Sequence, residues 1–259
     1  MWKQLLSAFR SGGLHQEAFD EALLMLQASH GMHRDAVAAL RGDGVMVADI
    51  YDRDRHLNKY ERSVRRKILT HLSVSPSPDV NMGLVITAIV IDIERIGDYT
   101  KNIVELAAGS PEPFDGGELN DEFLALEEIV EGMFRNILPA LQGSDDRLAR
   151  KVLRDHKNLS GRVERDLQLL RSDQVLKGHS GRAVTAALYL RYLKRVSAHL
   201  KNVATSVVNP YHRIGYKEKR KKGEAPLDLM GSAADGDVLL EDEELLEDLE
   251  PFDEDETRD

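Results

Sequence analysis

The chain has 259 residues, 42% of them hydrophobic and none of them cysteine. That supports a sizeable core in one or two domains, and it excludes disulfide scaffolds, thiolate zinc sites and cysteine nucleophiles. The net charge of -10 is unevenly placed: from Gly223 onward, 16 acidic residues face only Arg258, which leaves residues 1–222 near +5. A mildly basic body therefore carries a strongly acidic tail.

In chain order, Trp2, Leu5, Leu6 and Phe9 give a short amphipathic turn over residues 1–15, ahead of the first full helix. It reads as a helix packing on the body or as a docking element. Nothing there resembles a signal peptide. A helical pattern then runs from about Gln16 to Leu40 and stops at Arg41-Gly42-Asp43-Gly44. A second, from about Val45 to Leu72, carries Met46, Ile50, Leu57, Val64 and Ile68 on one face and is broken by Ser75-Pro76-Ser77-Pro78.

The third, from about Asp79 to Ala107, sets Ile86, Ile89, Ile93, Ile96, Ile103 and Ala107 at helical spacing. Its longest apolar stretch, Leu84 to Ile91, is far short of the roughly 20 residues of a membrane span, so no span is expected and the chain reads as soluble and cytoplasmic. GSPEPFDGG, Gly109 to Gly117, is a linker. No stretch reads as a strand.

The pattern then repeats. GMHRDAVAAL at Gly31 to Leu40 is echoed by GMFRNILPAL at Gly132 to Leu141, and ERIGDYTKNI at Glu94 to Ile103 by KRVSAHLKNV at Lys194 to Val203. The middle helix of the second half, about Asp145 to Leu170, has Leu148, Val152, Leu159, Val163 and Leu170 apolar. The expected fold is all-α: two tandem antiparallel three-helix bundles, residues 16–108 and 120–209, joined by a linker at 109–119. Residues 210–259, with the basic KEKRKK at Lys217 to Lys222 and the acid-rich end, are expected to be disordered.

Glu94 and Asp98 stand four apart, so their carboxylates project from one side of the third helix. With Leu57 and Ile93 at the centres of the apolar faces, Asp54, Asn58 and Glu61 flank the second helix. If the two helices are antiparallel neighbours, as the short SPSP turn implies, these flanks meet along the seam. Oxygen ligands from facing helices are how carboxylate metal sites are built in bundles, and such a set suits magnesium, calcium, manganese or iron. The other reading is a solvated acidic face with Arg95 and Lys101 as counter-ions.

In the second half Lys194 and Ala198 replace the pair, with either Asp155 or His156 and Ser160 beside them, so at most one metal cluster is expected, in the first half. Arg191, Lys194, Arg195, His199 and Lys201 make that third helix basic, and the acidic tail could dock on it. An ordinary solvated basic face is the alternative.

The ERIGDYTKNI string, its echo at Lys194 and the upstream Asp54-x-x-Leu57-Asn58 resemble the PhoU family of phosphate-signalling regulators, over roughly Phe19 to Val208. The resemblance implies a cytoplasmic, non-enzymatic, all-α adaptor acting between a phosphate transporter component and a membrane sensor kinase. It also implies a metal, iron or another oxygen-ligated divalent or trivalent ion, held by Asp54, Asn58, Glu94 and Asp98. A homodimer and a peripheral position at the membrane face through partners are compatible with it. Two other classes stand behind this one. A carboxylate-bundle oxidase would need Glu-x-x-His pairs, and none of the nine histidines has a glutamate three residues before it; no HExxH, phosphate-binding glycine loop or G-x-S-x-G occurs either. Nucleic-acid binding is opposed by the acidic tail and by the absence of a helix-turn-helix or zinc-finger pattern.

Overall fold

A computed structural model of the chain describes residues 13–43 and 49–218. The N-terminal turn up to residue 12, Met46 and the acidic end lie outside the described residues.

Six long helices follow one another: α1 (Leu14–Leu40), α2 (Ile50–Val74), α3 (Val80–Gly109), α4 (Asn120–Gly143), α5 (Asp146–Arg171) and α6 (Ser180–Val208). Among the described residues there is no strand. Local chemistry sets the ends. Gly42, at φ 91°, lets α1 finish with Gly42 N–H donating to Ala39 O and Asp43 N–H to Ala38 O, a turn that a Cβ would obstruct. The Asp79 carboxylate accepts from Met82 N–H to start α3, and Asp145 accepts from Arg147 and Leu148 N–H to start α5. α4 continues through Pro139 to Gly143.

α1, α2 and α3 pack on one another, and α4, α5 and α6 repeat the arrangement. α2 and α5 each bury a narrow stripe (Ile50, Leu57, Val64, Ile68; Ala149, Val152, Leu159, Val163) and sit at the periphery. α3 and α6 bury far more of their circumference and pack against each other, joining the bundles. The duplication is literal there: residues 91–100 and 191–200 run through the same order of exposed, intermediate and buried positions. The expected tandem pair of three-helix bundles is the observed fold.

The linker is more than a spacer. Phe114 is buried, donates its N–H to Leu40 O at 2.9 Å and lies against Phe123 and Tyr189. After α6, residues 210–218 fold back, with a short turn at Tyr211–Arg213. Glu218 makes a bidentate pair with Arg150 of α5, its shorter contact 2.8 Å. This part of the expected disordered segment is therefore built onto the second bundle.

One buried acid gives the second bundle a distinctive pH response. Asp166, its side chain 2% exposed, is pushed up to about 6 by burial and by the neighbouring Glu122 carboxylate. A raised folded pKa means stability fully present below the unfolded value near 3.8 and lost as pH rises through about 6, a loss of about 2–3 kcal/mol. Asp166→Asn should recover that amount at pH 8 and nothing at pH 3.5, read by urea denaturation at the two pH values.

Candidate functional site

The seam between α2 and α3 gathers the predicted residues. α2 turns back through Ser75–Asp79 into α3, so the two helices run antiparallel and in contact. Their approach is close because position 97 has no side chain: a Cβ on Gly97 would stand 2.4 Å from Leu57 Cδ1. Leu57 and Ile93 fill the buried centre. Asp54, Asn58 and Glu61 flank one side and Glu94, Asp98 and Lys101 the other, each set at i, i+4, i+7.

Lys101 ties the seam together. Its ammonium donates to Asp54 Oδ2 at 3.3 Å across the helices and to Asp98 Oδ1 at 3.2 Å on its own helix. Burial works against that charge, but the hydrogen bonds and charges of Asp98 and Asp54 outweigh it and hold the lysine above its ordinary pKa. Asn58 Nδ2 donates to Asp54 O at 3.1 Å, and Arg95 Nη1 reaches Asp98 Oδ2 at 3.2 Å. Glu61 pairs with Arg65 at 2.7 Å. Glu94, half-buried, is pushed up chiefly by burial, then by Asp98, and less by Glu61 and Asp54, against the pull of Arg95. Glu94 thus stands within reach of three other carboxylates along the seam.

For a metal ion the donors are right in kind, being oxygens from facing helices. Their arrangement is that of an ion-paired seam: among the described residues no three His, Asp or Glu side chains are grouped to hold a metal ion, and the Lys101 ammonium stands between Asp54 and Asp98.

The second half resolves the open register. His156, not Asp155, faces α6, with Nδ1 3.0 Å from Ser197 Oγ, while Asp155 turns to Lys151 at 2.7 Å. The partner of Lys194 is Glu164 at 2.7 Å, a carboxylate the sequence reading did not place there. Lys201, the repeat of Lys101, donates to Gly215 O at 2.6 Å and to Asn202 Oδ1. Burial lowers its pKa against the pull of Asp92. The basic stretch of α6 is therefore largely partnered: Arg191 and Lys194 by Glu164, His199 by Asp92, Lys201 by the folded-back loop.

Two clusters escaped sequence reading. At the crossing of α1 and α4, His30 Nε2 meets Glu131 Oε2 at 2.8 Å and stacks on Phe134, while His33 is buried beside that ring. The repeat could have shown this, since the register of the GMHRDAVAAL echo pairs His33 with Phe134 and, one residue before the string, His30 with Glu131, so equivalents meet across one axis. The other is Arg41, held by Glu127, Asn120 and Phe114 O.

The PhoU domain matches this chain twice, over residues 22–107 and 123–207, one match to each bundle. The chain belongs to the PhoU family. Among its PhoU relatives, a phosphate-specific transport system accessory protein PhoU homolog from Pseudomonas putida is 26% identical over 178 residues, covering 67% of this chain and 70% of that protein. The crystal structure of PhoU from Pseudomonas aeruginosa superposes with a TM-score of 0.66 at 24% identity, covering 74% of this chain and 94% of that one. PhoU from Streptococcus pneumoniae, a phosphate transport system regulatory protein, gives 0.67 at 15% identity over 75% and 93% of the two chains. At these identities the two structures speak to the PhoU fold. Among the described residues no helix is long and apolar enough to cross a membrane.

Proposed function

We propose that this PhoU-family protein is a non-enzymatic, cytoplasmic adaptor that regulates phosphate uptake and phosphate-dependent signalling. It does so by binding a transporter component or a membrane sensor kinase. The observation that carries the reading is the match of the PhoU domain to both bundles, with relatives named as phosphate transport accessory and regulatory proteins. An adaptor of this kind acts by binding one conformational state of its partner more tightly than the other, so it shifts a population without making or breaking bonds. Holding a partner at 99:1 against an intrinsic 1:99 needs about 5.5 kcal/mol of differential affinity. The test is deletion of the coding region, followed by phosphate uptake and kinase phosphorylation at high external phosphate. Loss of repression in either is expected; unchanged uptake and unchanged phosphorylation would end the reading.

A second reading concerns the α2–α3 seam, and the observation favouring it is that Asp54, Asn58 and Glu61 of α2 and Glu94 and Asp98 of α3 line the same contact, where the Lys101 ammonium reaches both Asp54 and Asp98. Excess negative charge on facing helices is relieved by a multivalent cation. Asp54, Asn58, Glu94 and Asp98 would hold an oxygen-ligated ion such as iron, once Lys101 swings out and surrenders its place. The ion would brace the first bundle or bridge to a partner carboxylate. Elemental analysis of purified protein should find metal that the Glu94→Ala/Asp98→Ala double variant lacks. Equal metal content in both proteins sinks the site.

A further inference from the structure

α2 reaches the core through one narrow stripe, Ile50, Leu57, Val64 and Ile68, and leaves most of its surface outside. That outside is of one sign. Between Arg55 and Val74 the exposed charges are Arg55, Lys59, Arg62, Arg65 and Arg66, with no exposed carboxylate among them. Arg55 is answered by Asp52 and Arg65 by Glu61, while Glu17 and Glu21 of α1 are taken up by Lys67. Lys59, Arg62 and Arg66 have no ion pair among the described residues.

The same line turns apolar toward the end of the helix. Lys59, Arg62, Arg66 and Leu69 follow at steps of three and four, so they stand in one row about 15 Å long. Leu69 and Val74, 66% and 69% exposed, are the two most exposed large apolar side chains among the described residues. Across the turn, at the same end of the hairpin, Val80 opens α3 and is 52% exposed. α5 supplies an internal comparison. Its exposed charges are also all cations, with Arg154, Lys157 and Arg171 outside any ion pair among the described residues, but no large apolar side chain is exposed along it.

We propose that the outer face of α2, with the turn that follows it, docks directly on an anionic lipid surface. A bilayer offers both things this face presents a match for. Its negative headgroups are worth about fivefold in partitioning for each lysine or arginine, and the hydrocarbon beneath them takes up exposed apolar groups. α2 is a convex edge of the body, so it lies along a flat surface more readily than it receives a peptide, which needs a groove. A nucleic acid would use the cations and leave Leu69, Val74 and Val80 in water. The net charge of -10 gives no long-range pull toward an anionic membrane, so the attraction is local to this face and confined to a Debye length. Under the adaptor reading the contact fixes which face of the protein looks at the membrane, but it does not need that reading to hold.

The test is co-sedimentation of the full chain with phosphatidylcholine vesicles, with and without phosphatidylglycerol. Binding is expected only where phosphatidylglycerol is present, and high salt should reverse it. Lys59→Gln/Arg62→Gln/Arg66→Gln should weaken it about a hundredfold, and Leu69→Ser/Val74→Ser about tenfold. Arg154→Gln/Lys157→Gln/Arg171→Gln removes the same charge from α5 and should change binding by no more than about twofold. Thermal melting checks that the variants fold; should a triple variant melt early, the single Arg62→Gln, expected at about fivefold, carries the comparison. No binding to anionic vesicles, equal binding to pure phosphatidylcholine, or equal losses from the α2 and α5 triples would overturn the proposal. So would retention by duplex DNA in place of vesicles, which would make the partner a nucleic acid. Any of these results leaves the adaptor reading standing, since that is decided by phosphate uptake and kinase phosphorylation in the deletion strain.

Discussion

Replacing His33 with phenylalanine should make the protein markedly more resistant to acid. His33 is buried at the α1–α4 crossing, its Nδ1 without a hydrogen-bond partner among the described residues. Burial, assisted by nearby His30, lowers its pKa to about 3. The sign follows from linkage. A base depressed in the folded state stays neutral there while the unfolded chain takes up a proton, so stability is complete above the unfolded value of 6.5 and is lost as pH falls toward 3. The loss runs at about 1.4 kcal/mol per pH unit and reaches about 4–5 kcal/mol. Between pH 7.5 and 4.5 the wild type should therefore lose about 2–3 kcal/mol that His33→Phe keeps, measured by urea unfolding at both pH values. Phenylalanine suits the site because Phe134, the repeat equivalent of His33, already lies 5.3 Å away across the pseudo-axis. An unchanged pH slope in the variant would show that His33 is accessible to protons. Asp166 slopes the other way over an overlapping range, so each single variant is more informative than the wild-type profile.

Glu127→Ala should be the most damaging single substitution away from the apolar core, at about 3–5 kcal/mol. Arg41 and Glu127 pair at 2.7 Å with side chains only 16% and 13% exposed. The same Oε1 accepts from Tyr189 O–H at 2.8 Å, and burial together with the Glu127 charge raises that phenol well above its ordinary value, keeping it a donor. Arg41 also donates to Asn120 Oδ1 and Phe114 O and lies over the Phe114 ring. Removing the carboxylate takes the counter-charge from a largely buried guanidinium, which keeps only Asn120 Oδ1 and Phe114 O, and leaves the buried Tyr189 hydroxyl without its acceptor. The double variant Arg41→Ala/Glu127→Ala should lose clearly less than the two single losses added together, as a double-mutant cycle in denaturant would read. Full additivity would mean the pair is not coupled.

The seam and the two clusters divide by what kind of information each needs. Asp54, Asn58, Glu94 and Asp98 could be placed on facing flanks because helical spacing and a short turn fix which sides of two successive helices meet. Lys101, read from the sequence as an ordinary counter-ion, proved to be the group that spans the seam. Its reach depends on an interhelical distance set by Gly97 against Leu57, which spacing does not encode. The choice between Asp155 and His156 is a rotation of about 100° about α5, and only packing against Ser197 makes it. Phe114 looked like part of a spacer because its neighbours are glycine, proline and acid. Its burial depends on Leu40 O, Phe123 and Tyr189, which lie far from it in sequence or in other elements.

The sequence by itself determined six helices, their order, their inward faces and the twofold repetition of a three-helix unit, because those rest on local periodicity and on self-similarity. The tertiary structure alone decided how the two copies meet, with α3 on α6 and α1 on α4 about one axis. It also decided which charges answer one another across that meeting. Partner choice between distant side chains depends on distances of a few ångströms in space, and a local pattern of residues carries no record of them.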